Sequence, residues 1–315
     1  MIASTNTGQH EDGVDRRGFL KCMAWAGTGL LWTVGGGVLS SRTFGQDAGK
    51  ATGGFRFVQI SDSHIGFGKD PYKNTVIRTL EEVVARINAL PQKPDFLIHT
   101  GDLTHLATPR EFDTVAEILT GAKVGKIFWV PGEHDVIGDG SEYLKRFGKG
   151  TKGEGWYSFD HRGVHFLGLV NVASQGTDKG LGVLGAEQLD WMKADVAGLG
   201  DSTPIVVFGH VPLWSVYPQW GWGTEDGLRA LTLLRRFGSV TVLNGHIHQT
   251  LQKVEGNMTF HTARSTAFPQ PAPGTAPSPG PLKGVPADKL RTLLGLTTVA
   301  SRERVGSLAI TDSSL

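Results

Sequence analysis

The sequence of 315 residues has a single cysteine and no excess of either charge. One cysteine excludes a scaffold of intramolecular disulfides. The 31 lysines and arginines balance 30 aspartates and glutamates, so there is no nucleic-acid footprint and no sign of a membrane-surface protein held by net charge. Disorder is also excluded, because 39% of the residues are hydrophobic and eight are tryptophan. The composition indicates a globular protein that is rich in glycine (44) and histidine (11).

The first 45 residues resemble a twin-arginine export signal. Arg16 and Arg17 form the pair within DRRGFLK, and an uncharged stretch of 18 residues follows from position 22 to 39. That stretch is long enough to be considered as a membrane anchor, but its five glycines make it weakly apolar and unfavourable for a helix. We therefore expect the twin-arginine export machinery as a partner, cleavage before Gln46, no stable membrane anchor afterwards, and a periplasmic or extracellular location. The only cysteine, Cys22, would leave with the signal.

The rest of the chain alternates between two hydrophobic patterns. Five short segments have the β-branched and aromatic character of buried strands: 55–60, 95–99, 126–130, 204–208 and 239–243. Four helical patterns lie among them: one from Asp70 and Pro71 to Leu90, one from a Thr108–Glu111 capping box to Gly121, 186–197 and 226–237. This alternation predicts an α/β protein, and a hairpin pattern over 156–170 predicts a mixed sheet.

Past Phe268 the composition changes. A proline-rich stretch, PQPAPGTAPSPGP, predicts an extended connection without a core of its own, followed by a short helix near 287–294 and a strand near 305–311. We therefore divide the chain into the export signal (1–45), an α/β domain (50–268), and a C-terminal segment (269–315) that packs on the domain.

Metal-competent side chains follow each of the five predicted strands. They are Asp62 and His64; Asp102; Glu133, His134 and Asp135; His210; and His246 and His248. Taken singly, each is a weak signal, because a lone histidine is more often structural. Groups beyond the carboxyl ends of different strands converge in an open α/β sheet, so five clusters in order predict one shared site. Imidazole and carboxylate ligands without thiolate suit Zn, Mn or Fe.

The order DxH, GD, GxHD, GHxP, GHxH resembles the calcineurin-like metallophosphoesterases, particularly the bacterial branch of cyclic-nucleotide phosphodiesterases and relatives of purple acid phosphatases. The resemblance covers about 55–267. It implies a four-layer α-β-β-α sandwich of two mixed sheets, with a dinuclear metal site at the carboxyl ends of the strands. It also implies two divalent or mixed-valence metal ions (Fe, Mn or Zn) that activate a hydroxide for hydrolysis of a small phosphoester.

The resemblance assigns a role to each residue of these motifs. Asp62, His64, Asp102 and His248 would hold the first metal, and Asp102, as a bridge, would hold the second with Glu133, His210 and His246. His134 would act as a catalytic residue near the leaving-group oxygen, and Asp135 would orient it.

Glu133 departs from the family pattern, which has Asn at this position. Asn offers a metal a neutral carbonyl and offers phosphate an NH₂ donor, whereas ionised Glu has only acceptors and adds negative charge. Three consequences are open: a preference for less charged diesters, a different metal pair such as one with a trivalent ion, or reduced hydrolysis. The sequence therefore predicts an exported phosphomonoesterase or phosphodiesterase, with a weak or inactive metal-binding protein as the alternative.

Several other features remain open at this stage. The segment 212–227 carries four aromatic residues, which form either a lid that stacks on a nucleobase, aryl or sugar group or a loop that covers apolar surface. His99 and His105 flank Asp102, and we expect supporting or surface roles for them. His161 and His165 are predicted to lie outside the site.

Overall fold

The computed structural model describes residues 29–35, 38–44, 54–73, 75–172, 181–301 and 308–315. Contacts divide the chain into two units, Met1–Thr52 and Gly53–Leu315. In the first unit, strands β1 (Gly29–Gly35) and β2 (Val38–Phe44) pair antiparallel. The twin-arginine pair and the expected cleavage point lie outside the described residues. Within the described ranges, no helix has both the length and the apolar character needed to cross a membrane.

The second unit contains the α/β domain. Its strands are β3 (Arg56–Ile60), β4 (Phe96–His99), β5 (Ile127–Trp129), β6 (Tyr157–His161), β7 (Val164–Gly168), β8 (Ile205–Phe208), β9 (Val240–Asn244), β10 (Gln252–Glu255), β11 (Met258–Thr262), β12 (Gly295–Ser301) and β13 (Leu308–Ser314). Its α-helices are α1 (Val76–Asn88), α2 (Pro109–Thr120), α3 (Ser141–Phe147), α4 (Ala186–Val196), α5 (Gly227–Leu234) and α6 (Ala287–Leu293).

The strands form two mixed sheets. The five-stranded sheet has the order β13-β12-β3-β4-β5, in which β3, β4 and β5 are parallel and β12 and β13 continue it antiparallel. The six-stranded sheet has the order β10-β11-β9-β8-β7-β6, with four parallel central strands and an antiparallel strand at each edge. The predicted hairpin over 156–170 is β6–β7, and its antiparallel pairing confirms the mixed character.

Alternating side chains explain how the sheets stack. Successive residues of a strand point to opposite faces, so Phe57 packs between the sheets while Val58 packs under α1 and α2. In the other sheet Phe208 faces inward and Val207 packs under α4 and α5. Each fully buried phenylalanine contributes about 1.5–3 kcal/mol to stability. The predicted four-layer α-β-β-α sandwich is confirmed.

The predicted elements differ from the structure mainly at their ends. The helix expected to begin at Pro71 begins at Val76, because residues 69–73 form a turn and the buried Tyr72 donates its hydroxyl hydrogen to the carbonyl of Leu282 (2.5 Å). The capping box at Thr108 is confirmed. The helix expected to run to position 237 ends at Leu234.

At the C-terminus, the predicted helix near 287–294 is confirmed as α6. The strand expected at 305–311 is β13, which lies slightly later in the chain than predicted and pairs with β12. The sequence reading missed β12 altogether. Its β-branched residues, Thr297, Thr298 and Val299, form only a short run between glycine at one end and alanine and serine at the other.

Candidate metal centre

The candidate centre is built from the loops that follow β3, β4, β5, β8 and β9 at their carboxyl ends. The first three strands belong to one sheet and the last two to the other. The sandwich brings these loops together, so His64 and His248 are neighbours although they lie 184 positions apart in the sequence. All seven predicted ligands meet here, and they form two groups with Asp102 between them.

The first group consists of Asp62, His64 and His248, whose ligand atoms lie within 4.8 Å of one another. Nε2 of His248 lies 3.3 Å from Oδ1 of Asp62 and 3.2 Å from Nε2 of His64. All three side chains are buried. Burial opposes the ionised form of Asp62, yet its histidine neighbours, His248 foremost, lower its pKa below the ordinary value. Burial lowers the pKa of His64 to about 3, so this ring is neutral.

The second group consists of Glu133, His210 and His246. Oε2 of Glu133 lies 2.9 Å from Nε2 of His210, and Oε1 lies 3.0 Å from Nδ1 of His246. His210 is fully buried, whereas the side chain of Glu133 is 36% exposed. The carboxylate of Glu133 thus joins two rings from the other sheet while its stem borders solvent.

Asp102 lies between the two groups. Its Oδ2 is 3.4 Å from Nε2 of His64 in the first group and 3.5 Å from Nε2 of His210 in the second. Its Oδ1 accepts a hydrogen bond from the backbone amide of His134 (3.0 Å). One carboxylate oxygen therefore borders both groups, as a bridging ligand requires.

The chemistry of these atoms fits metal ions. Nδ1 of His210 donates to the carbonyl of Thr100 (2.7 Å) and Nδ1 of His248 donates to that of Phe268 (2.5 Å), so a ring without a second proton has its lone pair on Nε2. These lone pairs face carboxylate oxygens, which are also acceptors. Without a cation, only a proton can link such a nitrogen to such an oxygen. Burial opposes protonation of His210, but Asp102 and Glu133 raise the pKa of this ring well above its ordinary value. The donor set suits Zn, Mn or Fe.

The backbone of the ligand loops is unusual. Five of the seven ligand candidates have positive φ: Asp62 (54°), His64 (41°), Asp102 (52°), His246 (70°) and His248 (54°). Non-glycine residues seldom adopt this left-handed region, and each one costs about 1–3 kcal/mol. Such local strain persists only where the surrounding structure holds it, and here it accompanies every ligand except Glu133 and His210.

Two glycines allow the loops to approach one another. A Cβ on Gly132 would lie 2.1 Å from Oδ1 of Asp102, and a Cβ on Gly245 would lie 1.9 Å from Oγ of Ser61 and 2.7 Å from Oδ2 of Asp62. Any other residue would therefore displace a ligand carboxylate.

His134 joins the cluster, but its partner differs from the expected one. We expected Asp135 to orient the ring. Instead, Nδ1 of His134 donates to the carbonyl of His105 (2.8 Å), and the Asp135 carboxylate accepts hydrogen bonds from the amides of Gly132 (2.9 Å), Leu103 (3.0 Å) and Thr104 (2.8 Å). Burial, with the Asp102 charge nearby, raises the pKa of Asp135 to about 7. Asp135 thus fixes two loops, and its interaction with the His134 ring is electrostatic rather than a hydrogen bond.

Of the other histidines considered in the sequence, two lie beside the centre and two lie outside it. Nε2 of His99 is 2.6 Å from the hydroxyl oxygen of Ser63, between two ligands, and His105 lies against His64 and His134. His161 pairs with Asp95, and His165 pairs with Asp160 and Asp195. Both histidines lie on the β6–β7 hairpin, outside the centre as predicted.

The aromatic loop after His210 has a mixed role. Trp222 is 1% exposed and Trp214 packs on the ring of Phe260 (5.0 Å), so both cover apolar surface. Tyr217 and Trp220 remain half-buried and contact each other edge to face (5.2 Å).

Sequence reasoning missed the contribution of the proline-rich segment to the centre. Besides its carbonyl contact with His248, Phe268 stacks on His64 (4.9 Å), and the side-chain amide of Gln270 donates to the carbonyl of His246 (3.1 Å). An aromatic residue at the boundary of the proline-rich stretch was the only available signal.

Comparison with known proteins places this arrangement in a family. The family model described as calcineurin-like phosphoesterase matches residues 55–250. A 3′,5′-cyclic-nucleotide phosphodiesterase from Nostoc is 27% identical over 216 residues, which cover 67% of this chain and 77% of the relative. A glycerophosphodiester phosphodiesterase from Enterobacter lignolyticus is 27% identical over 196 residues, which cover 60% of this chain and 69% of the relative.

Two solved structures share the fold. A dimetal phosphatase from Danio rerio superposes with a TM-score of 0.58 at 14% identity, covering 82% of this chain and 96% of that one. A purple acid phosphatase from yellow lupin superposes with a TM-score of 0.60 at 14% identity, covering 87% of this chain and 54% of that one. At such low identity these matches establish the fold alone.

Proposed function

The chain belongs to the calcineurin-like phosphoesterase family and is a phosphoric ester hydrolase, and we propose that it cleaves small phosphodiesters at a site that holds two metal ions. The observation that carries the proposal is the position of Asp102, whose Oδ2 lies 3.4 Å from one ligand group and 3.5 Å from the other. The relatives named as cyclic-nucleotide and glycerophosphodiester phosphodiesterases support the diester.

The proposal gives each ligand group one metal. Asp62, His64 and His248 would hold the first, Glu133, His210 and His246 would hold the second, and Asp102 would touch both. We propose Zn, Mn or Fe for these ions, because the donors are imidazole nitrogens and carboxylate oxygens. When bound, two such ions supply an activated water nucleophile and neutralise charge on the phosphoryl group.

The protein side chains would do the rest of the work. The ring of His134 is held by the carbonyl of His105 at Nδ1, which leaves Nε2 free to face a leaving-group oxygen. Burial opposes its protonated form, yet Asp102 and Glu133 raise the pKa of His134 above its ordinary value. A protonated His134 is able to donate a hydrogen bond or a proton to the departing oxygen.

Glu133 supports a diester over a monoester. Its carboxylate adds a negative charge beside the metals and offers no donor to a phosphoryl oxygen. A phosphomonoester dianion would meet more repulsion there than a diester monoanion. The net charge of the chain beyond the export signal is zero, with 27 residues of each sign, so net charge supplies no attraction for phosphate.

We also propose that the protein acts in the periplasm or outside the cell after export by the twin-arginine route. Arg16 and Arg17, the uncharged stretch after them and the small residues before Gln46 support this. The mass of the protein recovered from an export-competent host tests it. We expect loss of residues 1–45, and an intact mass would contradict cleavage.

Metal analysis combined with turnover tests the main proposal. Purified protein is expected to contain two metal equivalents and to hydrolyse bis(p-nitrophenyl) phosphate with a higher kcat/KM than p-nitrophenyl phosphate. Activity should vanish after chelation and return with Mn²⁺ or Zn²⁺. Two bound metals with turnover of neither ester would refute the proposal and leave a metal-binding protein of the same fold.

A further inference from the structure

His105 lies outside the seven ligand positions, yet its ring contacts two of the centre's histidines. It follows β4 in the loop TGDLTH and is half-buried. Its ring stacks on that of His134 with a centroid distance of 4.5 Å and an angle of 21°, and its Nδ1 lies 3.5 Å from Nδ1 of His64. The ring of Phe67 also contacts it in an edge-to-face arrangement (centroids 4.9 Å apart).

The backbone of His105 contacts the same neighbours. Its carbonyl accepts the hydrogen bond from Nδ1 of His134 (2.8 Å), and its amide donates to the carbonyl of Ile65, the residue after His64 (2.9 Å). The ring and the main chain of one residue thus both link the first ligand group to His134.

The loop that carries His105 is fixed by two carboxylates. Asp135 accepts the amides of Leu103 and Thr104 on one side of it, and Glu111 accepts the amides of Leu106 (2.9 Å) and Thr108 (3.2 Å) on the other. A loop whose amides are satisfied in this way has a fixed backbone, which is the support that a pre-organised site requires.

The geometry of His64 explains why a partner is needed at this place. Its Nε2 faces Asp102 and His248, so Nε2 is the atom available to a metal and Nδ1 is the far nitrogen. A metal-binding histidine nearly always gives its far N–H to an acceptor, which fixes the tautomer and the plane of the ring. The group that the structure places within reach is Nδ1 of His105 (3.5 Å), which is an acceptor when the proton of that ring is on Nε2.

We propose that His105 is a positioning residue that sets the ring orientation of the metal ligand His64 and of His134 together. This rests on the proposed function, in which His64 binds the first metal and His134 faces the leaving group. Two parts of His105 do this separately: its Nδ1 acts on His64, and its ring face acts on His134.

Two variants separate those parts. His105→Phe keeps the ring that stacks on His134 and removes the acceptor nitrogen. His105→Asn keeps an acceptor oxygen near the place of Nδ1 and removes the ring. His161→Phe is the matched control, because His161 also packs among aromatic rings (Phe55 at 5.0 Å) but lies outside the centre.

Two readouts are needed on the metal-loaded proteins. The first is the affinity of each metal, measured by competition with a chelator. The second is the ratio of kcat/KM for bis(p-nitrophenyl) phosphate to that for diphenyl phosphate, whose leaving group is poorer and depends more on His134. Melting temperatures confirm that each variant is folded.

We expect each His105 variant to change one readout and to leave the other unchanged. His105→Phe should weaken the more affected metal about tenfold and leave the substrate ratio unchanged, because outer partners of metal ligands contribute 10–100-fold. His105→Asn should keep the metal affinity and raise the ratio about tenfold, because a misplaced general acid penalises the poorer leaving group. His161→Phe should change neither readout.

Two results would overturn the inference. One is an unchanged metal affinity in His105→Phe together with an unchanged substrate ratio in His105→Asn. The other is a third metal equivalent in the wild type that both variants lose, since His64, His105 and His134 also lie close enough to hold an ion and His105 would then be a ligand. The affinity measurement needs no turnover, so an inactive wild type would count against the proposed function alone.

Discussion

The two ligand groups are alike in composition and differ in exposure. The side chains of Asp62, His64 and His248 are 0%, 4% and 1% exposed, whereas Glu133 in the second group is 36% exposed and His246 is 12% exposed. One group is sealed in the protein and the other borders solvent. For the two proposed metal ions, we therefore expect slower exchange at the first group than at the second. Glu133 lies in the open group.

Both groups share one property, which is that each draws ligands from both sheets. In the first group, Asp62 and His64 follow a strand of the five-stranded sheet, and His248 follows a strand of the six-stranded sheet. In the second group, Glu133 follows a strand of the five-stranded sheet, and His210 and His246 follow strands of the six-stranded sheet. A metal in either group therefore ties the two sheets together, and metal binding adds to the free energy of unfolding.

The largest expected effect is at Asp102, whose carboxylate borders both groups. Asp102→Asn should lose both metals and reduce kcat/KM for a diester by at least about 100-fold, because it removes a shared negative ligand. Metal analysis and turnover check this, and Asp190→Asn on the exposed face of α4 is the control. Full occupancy of either metal in Asp102→Asn would show that Asp102 does not join the groups.

The sealed and open groups can be compared directly through one histidine each. His248→Ala leaves a buried carboxylate, Asp62, without its main partner, and we expect a loss of about 3 kcal/mol or more in the free energy of unfolding. His246→Ala opens toward solvent and should cost clearly less, while it weakens the second metal. Denaturant unfolding of both metal-loaded variants measures the difference. Equal costs would contradict the contrast in burial.

Glu133→Asn tests whether the open group sets the substrate preference. Removal of the negative charge should weaken the second metal and raise the monoester-to-diester ratio of kcat/KM by about tenfold, equivalent to about 1.4 kcal/mol of repulsion relieved. The kinetics of p-nitrophenyl phosphate and its bis-ester give the ratio, and Glu187→Gln on the exposed face of α4 is the control. An unchanged ratio would mean that the carboxylate does not face the phosphoryl group.

A pair of side chains that joins the two sheets without any candidate metal ligand serves as a reference for these stability effects. Nε2 of His261 on β11 lies 3.0 Å from Oδ2 of Asp312 on β13, so this pair also joins the two sheets. Burial opposes the ionised form of Asp312, but His261 lowers its pKa below the ordinary 3.8. The ionised carboxylate therefore stabilises the folded state above that pH, and the contribution is lost as the pH falls through the lowered pKa.

Asp312→Asn should accordingly cost about 1 kcal/mol at neutral pH. The cost should shrink as the pH falls below 3.8, the ordinary pKa of the carboxyl. Urea unfolding as a function of pH checks the sign, and a penalty that grows toward acid would refute it. Loss of the first metal should destabilise the sandwich more than this variant does.

Local patterns predicted the α/β class, the mixed sheet and the clustering of metal-competent side chains, whereas the four-layer sandwich and the assignment of ligands to two metals followed from the resemblance to a family. Buried strands carry β-branched and aromatic runs, and each ligand stands directly after such a run, as Asp62 does after β3. The partner of His134 and the role of Asp135 were beyond reach, because both depend on which amides the folded loops present. The late start of α1 depends on a contact between Tyr72 and Leu282, 210 positions apart. No window of local sequence contains such information.

The positive φ angles limit how the centre is able to evolve. Aspartate, asparagine, histidine and glycine tolerate the left-handed conformation best, and the first three also bind metals. At five positions the backbone conformation and metal binding therefore favour the same few residue types. A change of ligand type there is restricted by both requirements. Glu133 has an ordinary backbone within a 3₁₀ turn. There the backbone adds no restriction of its own, so we expect a change of ligand type to be tolerated more readily than at the five positions with positive φ.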